Sequence, residues 1–278
     1  MTERAYHLHL ISDSTGETVG SVARACLVQF ENVKVVEHVW SLVRTKGQME
    51  KVMQAIEATP GPVIFTLIDP RLRDFLQEQC RRMGMACISV LDPVMSELAR
   101  HFHSSGAASP GRQHIMDAEY FARIDAMHYT LAHDDGQGLH DLDRADVVLT
   151  GPSRTSKTPT CVYLANRGIK AANVPLVPHS DPPSELLSVS RPLVVGLVTD
   201  PERLVQIRRN RLRLLQDEVE TDYTDLDLVE EEMRQARRLF SRQEWPVIDV
   251  TRRSIEETAA AVMQMLSERR EIVQATDI

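Results

Sequence analysis

The sequence predicts an α/β protein, with an N-terminal parallel-sheet α/β domain followed by a P-loop α/β domain of the kinase-like type. Three observations predict it. From Tyr6 to about His103, short apolar runs alternate with amphipathic helical stretches, the pattern of a parallel sheet covered on both faces. At Asp146–Thr160 (DVVLTGPSRTSKTPT), a β-branched run leads into a phosphate-loop spacing and then a helical pattern. Beyond it, apolar runs at Val174–Val177, Leu193–Val198 and Pro246–Val250 read as further strands. With 278 residues, 42% of them hydrophobic, the chain can fill two modest cores. The expected division is a first domain over residues 1–104, a connecting segment with a helix and an acidic turn over 105–145, and a nucleotide-binding domain over 146–278.

In the first domain, Tyr6–Ile11, Val33–Trp40, Val63–Ile68 and Ala86–Leu91 read as strands. Helical stretches fall near Gly20–Phe30, Gly47–Ala58, Arg71–Met83 and Pro93–His103. Ligands of such sheets sit at the carboxyl ends of the strands, where this chain places Asp13, Asp69 and Asp92. Asp69 and Asp92 each precede a proline, which suits a helix boundary. Ser12–Thr18 (SDSTGET) has two readings of equal weight: an oxyanion-binding turn, or a Ser/Thr helix cap completed by Glu17 in a capping box.

Ser104–Gly111 (SSGAASPG) is a small-residue linker. Asp117–His133 reads as a helix, and His133-Asp-Asp-Gly-Gln-Gly138 as an acidic turn. Its carboxylates, with His133 and His140, invite a metal, but a calcium loop's ladder of alternating oxygen ligands is absent and a solvated turn explains them better.

The phosphate-loop stretch carries the chemistry. Gly151, four intervening residues, then Ser156-Lys157-Thr158 follow the pattern G-x-x-x-x-G-K-[ST], with Ser156 in place of the second glycine. Loop N–H groups and a helix N-terminus converge on an anion, and Lys157 adds a mobile positive charge. Thr158 offers a hydroxyl to a magnesium ion. The bland alternative is a Ser/Thr-rich turn capping an ordinary helix. Serine tolerates positive φ less well than glycine, so Ser156 leaves the backbone shape open.

A helix is expected over Glu202–Asp217, with Arg208 and Arg211 inside a partly apolar stripe. They are candidates to clamp a transferring phosphoryl group; an exposed basic face is the equal alternative. Val229, Met233, Ala236 and Phe240 form a packing stripe, and Ser254–Glu257 is a capping box opening the last helix.

The net charge of −8 argues against nucleic acid as the main partner. No run approaches the apolar length of a membrane span, and MTERAYHLHLIS lacks a signal peptide's architecture. Four scattered cysteines without a C-x-x-C pair suit reduced thiols, so a cytoplasmic location is expected. Oligomeric state is open, a homo-oligomer included.

ISDSTGET near the start, DDGQ before the loop, and GPSRTSKTPTCVYLANRGIKAANVPLVP together resemble the pyruvate, phosphate dikinase regulatory proteins, relatives of the phosphoenolpyruvate synthase regulators. The match spans nearly the whole chain, and SDSTGET looks more like the dikinase branch. GPSR stands where other members often carry GVSR, so Pro152 removes one N–H from the loop. The resemblance implies two activities. An ADP-dependent kinase would inactivate pyruvate, phosphate dikinase by phosphorylating an active-site threonine, on dikinase already phosphorylated at its catalytic histidine. A phosphorylase would use inorganic phosphate to remove that group as pyrophosphate. It also implies that the ADP-binding segment is Gly151, Pro152, Ser153, Arg154, Thr155, Ser156, Lys157 and Thr158. Asp13 is the first candidate for the general base and Asp135 the second, both from position. The alternatives are the same chemistry on phosphoenolpyruvate synthase, an ATP-dependent kinase of a small metabolite, and a nucleotide-sensing adaptor without chemistry.

Overall fold

A computed structural model describes residues 5–104, 118–178, 180–214 and 222–276, so all but Ser104 of the expected linker Ser104–Gly111, and the end of the Arg208 helix, lie outside the described residues. The described residues separate into two compact units, 5–104 and 118–276.

The first unit runs β1 (Tyr6–Ser12), α1 (Glu17–Leu27), β2 (Val35–Trp40), α2 (Lys46–Ala58), β3 (Val63–Thr66), α3 (Pro70–Arg82), β4 (Cys87–Ser89) and α4 (Asp92–Phe102). Its strands are all parallel, in the order β2-β1-β3-β4. The two-residue period of a strand divides β1 between two cores. Leu8 and Leu10 pack with Val19 and Ala23 of α1, while Ile11 joins Phe65, Met49, Ile56 and Leu76 under α2 and α3. His9 is also buried; its Nε2 meets the Thr59 carbonyl at 2.8 Å, and burial lowers its pKa. Asp69 caps α3, accepting from the Arg71 amide at 2.8 Å, as its place before Pro70 suggests.

The second unit contains α5 (Ala118–Ala132), a 3-10 turn (Leu139–Arg144), β5 (Val147–Gly151), α6 (Lys157–Ala165), β6 (Ala171–Pro175), α7 (Ser184–Ser188), β7 (Leu193–Val198) and α8 (Pro201–Leu214). A second 3-10 turn (Asp222–Thr224), α9 (Leu226–Arg242), β8 (Val247–Asp249) and α10 (Ile255–Thr276) follow. The strands are again all parallel, in the order β6-β5-β7-β8. Val147 and Leu149 face a core with α6 and α10, whereas Val148 faces the opposite one. The expected α9 stripe packs on β7, where Gly196 makes room for the Phe240 ring: a Cβ there would meet it at 2.4 Å. The Ser254–Glu257 capping box forms, with both reciprocal amide bonds. α5 packs on α6 and β6.

In each unit the chain goes from its first strand to one neighbour and then returns to the other side. The loops after β1 and β5 therefore lie at topological switch points, where ligands of open α/β sheets bind. Among the described residues, no helix is long and apolar enough to cross a membrane.

Candidate active site at the phosphate loop

β5 delivers the loop at Gly151, whose φ is 149° and where a Cβ would stand 2.3 Å from the Leu197 carbonyl oxygen of β7. Only glycine fits that approach. The loop then turns through left-handed backbone at Arg154 (φ 72°) and Ser156 (φ 60°). Serine thus takes up the conformation that the usual glycine would supply. Ser156 is the N-cap residue of α6 but makes no side-chain cap, so an ordinary Ser/Thr cap does not describe this turn. Inside the loop the Pro152 carbonyl accepts from Thr155 Oγ1 at 2.9 Å and from Lys157 Nζ at 2.7 Å.

Lys157 is 5% exposed. Burial pushes its ammonium down to about 8, while the nearby Asp135 carboxylate opposes that shift. A cavity of about 360 Å³ opens beside it, lined by Asp134, Asp135, Ser153, Arg154, Lys157 and Thr158 among others. An anion entering here meets the N-terminus of α6, two cations and a hydroxyl.

The acidic turn reaches this cavity because β6 holds it. Asn173 N donates to the His133 carbonyl and Gly136 N to the Asn173 carbonyl, each at 2.9 Å. Left-handed backbone at Asp135 (φ 53°), Gly136 (φ 81°) and Gly138 (φ 65°) bends the chain between them. Asp134 Oδ1 accepts from Thr158 Oγ1 at 2.9 Å and from Asn173 Nδ2 at 2.6 Å. His133 lies buried, its ring 3.7 Å from that of Tyr129, and His140 is exposed. Among the described residues, no three His, Cys, Asp or Glu side chains cluster as a metal site.

The arginine helix differs from expectation. Arg208 is 1% exposed and forms a two-pronged pair with Glu232 of α9, at 2.8 and 3.0 Å. It also donates to the carbonyls of Ser153 (3.1 Å) and Tyr223 (3.2 Å), with its guanidinium carbon 4.3 Å from the Tyr223 ring centroid. The Tyr223 hydroxyl meets Ser153 Oγ at 3.2 Å. Arg208 thus braces the loop from behind and does not line the cavity as a phosphoryl clamp would. Arg211 is exposed and is absent from the lining as well.

Asp13 belongs to the first unit. Its carboxylate is buried and accepts from the Ile68 amide at 2.6 Å, and burial raises its pKa. The proposed Glu17 capping box is not formed: Gly16, at φ 85°, stands at the N-cap of α1 without a side-chain cap. Sequence reasoning missed Asp134, Asn173, Tyr223 and Glu232 as parts of the second unit's site. Adjacent acids in DDG gave no basis for separating Asp134 from Asp135, and Asn173 lies just before the run taken for a strand.

The sequence matches the kinase/pyrophosphorylase family over residues 8–263. A protein of Paramagnetospirillum magneticum is 59% identical over 94% of this chain and 84% of its own length. Proteins of Rhodospirillum rubrum (53%, over 96% of this chain and 97% of its own) and Caulobacter vibrioides (53%, over 94% and 83%) are similar too. All three are provisionally named pyruvate, phosphate dikinase regulatory protein. A match of this extent, on a chain whose second unit carries the Gly151–Thr158 loop at the switch point of its sheet, shows that the chain belongs to the kinase/pyrophosphorylase family, a family of phosphotransferase-type enzymes.

Proposed function

We propose that this chain regulates pyruvate, phosphate dikinase by reversible phosphorylation of an active-site threonine, acting as an ADP-dependent serine/threonine kinase and as a phosphate-dependent phosphorylase. The names of the relatives support the target. The phosphate loop, with Lys157 drawn back onto a loop carbonyl beside an open cavity, carries the reading.

In the kinase direction the threonine oxygen attacks the β-phosphorus of ADP. A threonine O–P bond forms, the P–O bond to AMP breaks, and the hydroxyl proton passes to a base. In the phosphorylase direction an oxygen of inorganic phosphate attacks the phosphothreonine phosphorus. The bond to threonine breaks, pyrophosphate leaves, and the threonine oxygen takes a proton. Both steps pass charge through the oxygens of one phosphoryl group, so positioned cations supply most of the catalysis. Lys157 would exchange the Pro152 carbonyl for those oxygens, Arg154 would face them from the loop, and amides from Ser153 to Thr158 would hold the diphosphate. Thr158 and neighbouring carboxylates are hard oxygen donors that suit Mg²⁺, which supplies neutralising charge when bound. Asp135 lines the cavity and Asp13 has a raised pKa, so both stay candidates for the base. The same reading places the enzyme in the cytoplasm.

The test uses ADP labelled at its β-phosphate, Mg²⁺, and dikinase already phosphorylated on histidine. Label should move to a dikinase threonine and leave as pyrophosphate when phosphate is added. Lys157→Ala should slow transfer by about 100- to 1,000-fold. Alanine at Asp13 or Asp135 that leaves both activities intact removes that residue from the mechanism. Failure of ADP to donate, with ATP labelling a small molecule instead, would overturn the proposed activity and leave the phosphate loop standing.

A further inference from the structure

We propose that Asp134, held in place by Asn173, and the Thr158 hydroxyl form the protein side of a divalent-cation seat at the edge of the phosphate loop, which leaves Asp135 free for other work. The inference rests on the nucleotide-site reading above and adds which carboxylate serves the cation.

Three polar atoms converge there. Thr158 Oγ1 lies 2.9 Å from Asp134 Oδ1, and Asn173 Nδ2 lies 2.6 Å from Asp134 Oδ1 and 2.9 Å from Thr158 Oγ1. The amide donates to both oxygens, so the Thr158 proton points to Asp134. That arrangement fixes the direction of the hydroxyl's remaining lone pair. Thr158 Oγ1 thus keeps one lone pair for the ion, while Asp134 holds that hydroxyl in place and would accept from a water on the ion. Mg²⁺ keeps several waters and needs only one or two protein donors.

Asn173 supplies a second, independent observation. It is 2% exposed, lines the cavity, and its Oδ1 is buried without a hydrogen-bond partner. An orphan acceptor of that kind is costly to bury, and a water on a bound cation is a donor that would satisfy it. The same residue clamps the acidic turn through both its backbone groups. The left-handed Asp135 and Gly136 therefore serve to set Asp134 against Thr158. Asp135 makes no such contact with Thr158; it faces the cavity and acts on Lys157 through its charge.

Mn²⁺ binding to the full chain, followed by electron paramagnetic resonance with saturating ADP, tests this without reference to turnover. Asp134→Asn and Thr158→Val should each weaken Mn²⁺ binding by about 10- to 100-fold. Asp135→Asn should leave it nearly unchanged. ADP affinity measured in EDTA, together with far-UV circular dichroism, reports whether each variant is folded with its loop intact. Asn173→Ser should fall between, losing Mn²⁺ affinity while ADP binding in EDTA persists. Wild-type Mn²⁺ affinity in folded Asp134→Asn, or loss of Mn²⁺ in Asp135→Asn alone, overturns the assignment of Asp134. A wild-type chain that binds no ADP overturns the nucleotide-site reading and the cation seat with it.

Discussion

Lys157 is the residue on which the site's electrostatics turn. Burial lowers its pKa to about 8 from an ordinary 10.5, so below pH 8 the ligand-free protein holds a buried ammonium with one carbonyl partner. Between those two values the unfolded chain keeps the proton and the native chain does not, so native stability rises with pH across that window. The full effect is about 3 kcal/mol. Lys157→Met should therefore stabilise the ligand-free protein at pH 7 by up to that amount, about 3 kcal/mol, with the gain fading by pH 10. Urea midpoints of both proteins at the two pH values measure it. An equal gain at each would show that the lysine's charge is not what destabilises the loop. That lysine was legible from spacing alone. Its carbonyl partner was not, because no sequence pattern says where a flexible side chain rests when its anion is absent. Asp134 was hidden for a different reason: its role comes from hydrogen bonds to Asn173 and Thr158, which are distant in sequence.

At the scale of elements, α8 and α9 act on the loop through one buried pair. Arg208 from α8 and Glu232 from α9 neutralise each other, and the arginine's remaining donors reach Ser153 and Tyr223. A guanidinium in a helical stripe announces that an anion must be near, and that much was readable. Whether the anion is a substrate phosphoryl or a carboxylate of this chain depends on how the two helices pack, which periodicity does not encode. Glu232→Gln leaves the arginine buried without its counter-charge and should cost about 3–5 kcal/mol in urea unfolding. Since Ser153 loses a rigid anchor, ADP affinity should fall as well, although position 232 is absent from the lining of the loop cavity. Undiminished stability would mean that Tyr223 and the loop carbonyls hold Arg208 unaided. Strand β6 shows the limit of propensity in the same way. Ala171 and Ala172 are weak strand formers, yet pairing with Val147 and Val148 of β5 draws them into the sheet and starts the strand before Val174. Leu193–Val198, an apolar run flanked by breakers, has the same bounds in sequence and structure.

At the scale of the whole molecule, two units repeat one strand order, each with cores of its own. The alternation of apolar runs made both sheets legible, because parallel strands buried on two faces need continuous apolar sequence. The order within each sheet follows from pairings that the alternation does not specify. The loop, the acidic turn and the Arg208 brace all lie within 118–276, whereas Asp13 sits in the first unit. On the proposed function, this division would separate nucleotide binding from one candidate route for the proton. A chain of residues 116–278 has its own sheet and buried clusters, so it should fold cooperatively and bind ADP with an affinity close to the full chain's. Calorimetry on the fragment measures that, and its ability to phosphorylate histidine-phosphorylated dikinase measures the rest. Tight ADP binding without transfer would assign the missing step, either the base or recognition of the protein substrate, to the first unit. Asp13→Asn in the full chain then decides between them, since loss of a base lowers kcat with little change in KM for dikinase, whereas loss of recognition raises KM. A folded fragment that does not bind ADP would show instead that the phosphate loop depends on the first unit for its shape.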